Sequence, residues 1–130
     1  MDDQRPQFSI LIPTPGRADL FRMAIESVLK QNFQDLEIIV ADGTGSDAAR
    51  AAAAESGDPR VRYIHAPEGG LTTWDVAAKH ANGKYLLWLD DDNYLLPFAL
   101  DLFKRAIDRT GADVVTANHL YYYDNQHPRR

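Results

Sequence analysis

Tyr85-Leu86-Leu87-Trp88-Leu89-Asp90-Asp91-Asp92-Asn93 is an apolar run, long enough for one buried strand, that ends abruptly in three carboxylates. In a parallel sheet such a strand delivers its acids to the C-terminal edge, where open α/β sheets bind their ligands. Three adjacent anions repel one another and add little to folding. Their natural use is to share a hard divalent cation such as Mg²⁺ or Mn²⁺. The plain alternative is a solvated acidic turn.

The flanking segments supply the sheet. Upstream, Phe8-Ser9-Ile10-Leu11-Ile12 reads as a first strand stopped by Pro13, and Pro13-Thr14-Pro15-Gly16-Arg17 as a loop kept out of helix by its prolines. Phe21, Ala24, Ile25, Val28 and Leu29 then recur at helical spacing, with Asp19 favouring the first turn. Leu36 to Ala41 is a second strand ending at Asp42, and the turn after it opens an alanine-rich helix running to about Ser56. Val61 to His65 reads as a short third strand at a sheet edge. Trp74, Ala77, Ala78 and Ala81 predict a helix capped by Thr72 or Thr73 and stopped at Asn82-Gly83. Past the acidic strand, Pro97 opens a helix closed by Gly111, and Asp113 to Asn118 reads as a fifth strand. Strictly alternating strands and helices predict an α/β fold with a parallel sheet and right-handed crossovers. Asp42 and Asp90 to Asp92 then share one rim. Acids converging from separate strand ends point to a metal-nucleotide site.

Composition bounds the alternatives. The 130 residues suffice for about one domain, and 45% hydrophobic with 25% charged residues is the balance of a soluble globular chain. A net charge of −5 with no basic stripe argues against nucleic-acid binding, whose affinity comes from Lys and Arg on phosphates. The chain has no cysteine, which excludes disulfides, thiolate metal sites and cysteine nucleophiles. No apolar run reaches the ~20 residues of a membrane span, so a cytoplasmic location is the expectation. Residues 1–7 read as a flexible tail, 8–118 as the folded domain and 119–130 as a C-terminal tail.

Taken in order, Ser9-Ile10-Leu11-Ile12-Pro13-Thr14, Glu26-Ser27-Val28-Leu29-Lys30-Gln31, Glu37-Ile38-Ile39-Val40-Ala41-Asp42 and Gly83-Lys84-Tyr85 leading into Asp90-Asp91-Asp92 resemble a family-2 glycosyltransferase. That family is inverting and has the GT-A fold. The resemblance implies a Rossmann-like nucleotide-diphospho-sugar transferase domain, a mostly parallel sheet with helices on both faces, here truncated to the N-terminal donor-binding half. By position, Pro13 and Thr14 would line the nucleoside pocket and Asp42 would hold the base or ribose. The triplet would be the Asp-x-Asp (DXD) region, with Asp92 and Asp90 toward a Mn²⁺ or Mg²⁺ cofactor and Asp90 and Asp91 near ribose and sugar. Arg17, after the first strand, could reach a phosphate, and reads equally well as an exposed loop arginine.

The implied partner is a nucleotide-diphospho-sugar, with a UDP-sugar favoured, and the implied activity is sugar transfer to an unknown acceptor. The family's catalytic base is an Asp or Glu beyond the donor half and is expected to be absent here; Asp124, in the tail, is weighed as a substitute. The alternative reading is a non-catalytic nucleotide-sugar-binding or interaction module. Self-association as a homo-oligomer, or pairing with a partner chain, stays open, because an unfinished sheet leaves an edge and an apolar face. A nucleotidyltransferase or phosphatase is weaker, for want of a Walker loop, a Gly-x-Gly-x-x-Gly turn or an Asp-x-Asp-x-Thr motif.

The chain departs from the family pattern in three places. Pro15-Gly16-Arg17 stands where an aromatic and an asparagine are usual, Gly43 where a second acid often follows Asp42, and Trp74-Asp75 where many members carry Arg-Asn. His65, His80, His119 and His127 show no paired metal spacing.

Overall fold

A computed structural model describes residues 3–67 and 69–121. Eight elements alternate along the chain: β1 (Phe8–Thr14), α1 (Ala18–Leu29), β2 (Leu36–Asp42), α2 (Asp47–Ala54), β3 (Val61–His65), α3 (Leu71–Lys79), β4 (Tyr85–Trp88) and α4 (Ala99–Thr110). The strands form one parallel sheet in the order β3-β2-β1-β4. Every residue of β1 and β2 is buried, as expected of strands covered on both faces. Ile10, Ile12, Ile38 and Val40 point into a larger core with Phe21, Ile25 and Val28 of α1, Ala49, Ala52 and Ala53 of α2, and Leu100 and Ile107 of α4. Leu11, Ile39 and Ala41 face the opposite side and meet Ala77 of α3. Helices thus cover both faces, and the architecture is the α/β one expected, with a parallel sheet.

β1 runs two residues past the expected stop and includes Pro13. Leu11 O accepts from Leu89 N (2.9 Å) and Thr14 O from Gly43 N (3.1 Å), so odd-numbered backbone groups of β1 face β4 and even-numbered ones face β2. The N–H that Pro13 lacks would point toward β4, where pairing has already ended at Leu11 and Trp88. No ladder bond is lost, and the strand continues to Thr14.

Three other expectations are corrected. The acidic strand is not buried on both faces: β4 is a four-residue edge strand whose Leu86 and Trp88 are 46% and 42% exposed. Residues 113–118 form no strand; Val115 packs on the core while Val114 is 79% exposed, and neither finds a ladder partner. Gly70, at φ 55°, begins α3 in place of a threonine cap, and Thr73 Oγ1 instead donates to Gly70 O (2.6 Å). α4 begins at Ala99, two residues past Pro97, and α3 ends at Lys79, short of Asn82-Gly83; Ser46 Oγ caps Ala49 N (3.1 Å) to start α2, and Gly111 closes α4 in the left-handed region as expected. Asp124, Tyr122, Tyr123 and His127 lie outside the described residues.

At the N-terminal end of the sheet a buried polar cluster sets the register of β4. Ser9 Oγ donates to Glu37 Oε1 (2.6 Å) and accepts from Gly83 N (2.8 Å), while Asn82 N donates to Glu37 Oε1 (2.6 Å) and Arg62 to Oε2 (3.1 Å). Burial alone would push the Glu37 carboxyl up; those donors outweigh it and hold the group below its ordinary range.

Candidate functional site

The C-terminal rim gathers the residues singled out from sequence. Thr14 lies opposite Asp42 in the β1–β2 register, and Asp42 opposite His65 in the β2–β3 register. Pro13 and Thr14 are buried at the end of β1. Beyond β4, Asp90 O accepts from Asn93 N (3.0 Å), closing a turn that carries the triplet to the same rim.

The three aspartates are not equivalent. Asp91 is 2% exposed, whereas Asp90 and Asp92 face solvent. Asp91 Oδ2 accepts from Thr14 Oγ1 (2.8 Å) and from Arg17 Nε (2.9 Å), and its other oxygen is bound by Arg17 Nη2. This is a two-pronged guanidinium-carboxylate pair on a buried acid, the strong form of such contacts. Hydrogen bonding to Asp91 holds the Arg17 guanidinium firmly in its charged form. Thr14 Oγ1 also accepts from Gly16 N (3.1 Å) and Arg17 N (3.2 Å), so one hydroxyl shapes the β1–α1 loop and anchors the acidic turn. Arg17, half-exposed, reaches outward as well, with Nη2 3.9 Å from Asp92 Oδ2. The loop Pro15-Gly16-Arg17, a departure in sequence, therefore supplies the counter-charge of the triplet.

Asp42 is fully buried and its carboxylate is saturated from within the chain. Tyr63 Oη donates at 2.6 Å, Thr44 N at 2.9 Å, Thr44 Oγ1 at 2.8 Å and Gly45 N at 3.0 Å. Burial would raise the Asp42 carboxyl, but these four donors outweigh it and leave it below the ordinary value. The Tyr63 phenol, pushed up by burial and then by the Asp42 charge, titrates at about 12. The Arg50 guanidinium covers the Tyr63 ring at 4.8 Å.

Two glycines leave room at this rim. A Cβ on Gly43 would lie 3.1 Å from Gly69 Cα, a tight approach between the two loops. Gly45, at φ +64°, lies under the His65 ring, whose Nε2 would be 2.6 Å from an added Cβ. Trp74 of α3 packs on Trp88 of β4, ring centroids 4.7 Å apart.

Sequence reasoning placed Thr14, Arg17, Asp42 and the triplet on one rim without showing how they are joined. It missed Tyr63, Thr44 and His65. The only local hint was the Asp42-x-Thr44 spacing, a turn signal in its own right.

Asp90 and Asp92 are exposed carboxylates on either side of a pinned third acid. Such a pair fits Mg²⁺ or Mn²⁺, which take one or two protein carboxylates and complete their coordination with substrate phosphates. Among the described residues no three Asp, Glu or His side chains converge as a metal site.

The chain is 34% identical over 100 residues to GalNAc(5)-diNAcBac-PP-undecaprenol beta-1,3-glucosyltransferase of Campylobacter jejuni; the match takes in 73% of this chain and 32% of that one. The chain thus spans about a third of the length of that relative. Among solved structures, S. aureus TarS 1-349 in complex with UDP-GlcNAc superposes with a TM-score of 0.72 at 23% identity, over 82% of this chain and 32% of the other. Mannosyltransferase PcManGT from Pyrobaculum calidifontis, in complex with GDP-Man and Mn²⁺, superposes with a TM-score of 0.66 at 21% identity, over 88% and 36%. At these identities the structural likeness shows a shared fold. The family model of Glycosyl transferase family 2 matches residues 9–130, nearly the whole chain, and the chain belongs to that family.

Proposed function

We propose that this chain forms the donor side of a glycosyltransferase, binding a nucleotide-diphospho-sugar at the C-terminal rim through a divalent cation for transfer to an acceptor hydroxyl. The observation that carries the reading is the pinning of Asp91 by Thr14 and Arg17, which leaves Asp90 and Asp92 as an outward pair at the ligand-binding edge. TarS has been solved with UDP-GlcNAc and PcManGT with GDP-Man and Mn²⁺, ligands of the class this rim suits. A UDP-sugar is the favoured donor.

The residues divide the work. Asp92, with Asp90, would hold Mn²⁺ or Mg²⁺ against the diphosphate. Bound there, the ion acts as a Lewis acid that stabilises the charge of the departing nucleoside diphosphate. Pro13, Thr14 and Asp42 set the nucleoside side; Asp42 acts by shaping the Thr44-Gly45 turn, since its own oxygens are occupied. In the reaction the acceptor oxygen forms a bond to the anomeric carbon, the bond from that carbon to the phosphate oxygen breaks, and the acceptor proton passes to a base. That base belongs to the acceptor side, outside the residues assigned here. The cytoplasmic location expected from sequence goes with this reading; among the described residues no helix is long and apolar enough to cross a membrane.

The test is calorimetric titration of UDP, GDP and dTDP with and without Mn²⁺, on the native chain and on Asp92→Asn. Binding that needs both Mn²⁺ and Asp92 supports the donor site, and a folded chain that binds none of the three overturns it. Binding without sugar transfer or donor hydrolysis, even with acceptor present, would favour a non-catalytic nucleotide-sugar module.

A further inference from the structure

Ser27 and Gln31 share one face of α1, beside the buried stripe of Ala24 and Val28, and no step of the proposed reaction uses them. Gln31 is nevertheless 3% exposed, and an amide is costly to bury unless its groups are bonded. Its bonds lead out of α1. Gln31 Nε2 donates to Leu96 O (2.7 Å) as well as to Ser27 O (3.1 Å), and Gln31 Oε1 accepts from Leu100 N (3.1 Å). Ser27 Oγ accepts from Leu95 N (3.0 Å) while donating to Ala24 O (2.7 Å), and Asn32 N donates to Pro97 O (3.2 Å). The end of α1 thus grips four backbone groups between residues 95 and 100. Phe98, preceding α4, makes no side-chain cap bond, and Gln31 supplies one to the first turn of α4 from another helix.

What the grip holds is the far end of the acidic turn. Residues 89–98 belong to no strand or helix, so their placement depends on what binds them. Leu89 N donates to Leu11 O (2.9 Å), Asp91 is held by Thr14 and Arg17, and Leu95 is held by Ser27. Asp90 lies between the first two anchors, which both belong to β1 and the loop after it. Asp92 lies between the second anchor and the third, on α1. We infer that Ser27 and Gln31 are positioning residues for Asp92, fixing its side of the acidic turn through Leu95 and Leu96. The inference rests on the donor-site reading for what Asp92 does, and adds the residues that aim it. Two anchors leave the turn free to rock about the line joining Leu89 and Asp91, and a third stops that motion. An octahedral ion tolerates little error in the placement of its ligands, so the rocking would be felt at the site.

The experiment follows single amides by hydrogen exchange in the native chain, in Ser27→Ala and Gln31→Leu, and in Ile107→Val, a core change in α4 that controls for general loss of stability. Asn93 N, bonded to Asp90 O, reports the turn; Leu89 N and Gly43 N, bonded to Leu11 O and Thr14 O, report strand ends that the grip does not touch. Losing a bond at the far anchor should speed exchange at Asn93 on the order of tenfold in Ser27→Ala and Gln31→Leu, and leave Leu89 and Gly43 within about twofold of their rates in Ile107→Val. Ser27→Thr, which keeps the hydroxyl, should restore the native rate. In Ser27→Ala and Gln31→Leu the Mn²⁺-dependent part of UDP affinity should fall at least about threefold, with the Mn²⁺-free part unchanged. Folded variants in which Asn93 keeps its native rate, or speeds up only in step with Leu89 and Gly43, overturn the inference, as does Mn²⁺-dependent UDP binding equal to native. A native chain that binds no nucleotide overturns the donor site instead, and the exchange pattern then decides by itself whether α1 holds the turn. Should neither variant fold, the native chain decides: the Asn93 and Leu95 amides should open together as urea is added, and Asn93 opening well ahead of Leu95 overturns the inference.

Discussion

Thr14 and Asp91, 77 positions apart in sequence, are joined by a hydrogen bond of 2.8 Å between two buried side chains. The end of the central strand thereby holds the middle acid of the triplet. Thr14→Val keeps the shape and removes the hydroxyl, leaving Asp91 short of a donor and Gly16 N and Arg17 N short of an acceptor. Urea unfolding should show a loss of about 2 kcal/mol. Metal-dependent UDP affinity should fall with it, and a variant as stable as the native chain would show that the bond does not tie the turn to β1.

Asp91→Asn and Asp92→Asn should separate stability from binding. Asp91 is buried on a guanidinium, so its neutralisation should cost about 3 kcal/mol. Asp92 is half-exposed, and its replacement should leave the melting temperature within a degree or two while lowering Mn²⁺-dependent UDP affinity at least about tenfold. The reverse pattern, a stable Asp91→Asn and an unstable Asp92→Asn, would contradict the division of the triplet.

Tyr63→Phe removes one donor from buried Asp42 and should cost about 1.5–3 kcal/mol. Two pH limbs test the same bond. Asp42 has a folded value below its ordinary 3.8, so its contribution is complete above that value and is lost as pH falls through the lowered one; in the variant the folded value moves back up, so this acid loss should shrink. Tyr63 has a folded value raised from 10.0 to about 12, so its contribution is complete below pH 10 and is lost as pH rises toward 12. Thermal melts should lose that alkaline limb in Tyr63→Phe and keep it in the native chain.

Gly83→Ala tests the register of β4. An added Cβ would lie 2.6 Å from both Ser9 N and Ser9 Oγ, against backbone that has no room to move. Denaturant unfolding should show a loss of about 2–3 kcal/mol, and an effect below about 0.5 kcal/mol would mean the Asn82-Gly83 turn does not fix β4 against β1.

The first four strand-helix pairs were legible because each carries its own period: continuous apolar residues in β1 and β2, a helical stripe through Phe21, Ala24, Ile25 and Val28, and a glycine stop at Gly111. The rim was legible because topology alone sends strand ends to one edge. The misreadings have a common cause. Leu86 and Trp88 look like core in a string of apolar residues, and only sheet order shows that β4 has one neighbour. Residues 113–118 have strand composition, but a strand needs a partner and composition cannot supply one. The triplet appears in sequence as three equal acids; what sets Asp91 apart arrives from Thr14 and Arg17, more than seventy residues away. No local pattern carries that information.

The placement of the strands makes the rim's two halves unequal in endurance. Asp42 hangs on β2 and Thr14 on β1, interior strands with a neighbour on either side, whereas the acidic turn hangs on β4, which pairs with β1 over only four residues. Edge segments with few ladder bonds open before interior ones, at a free energy below that of global unfolding. Backbone amides of β4 should therefore exchange with deuterium sooner than those of β1 and β2, and mild denaturant should loosen the acidic turn while the ends of β1 and β2 remain folded. Among the described residues β4 has no neighbour beyond β1, so a strand added along that edge would lengthen its ladder and delay the opening of the acidic turn without touching a single carboxylate.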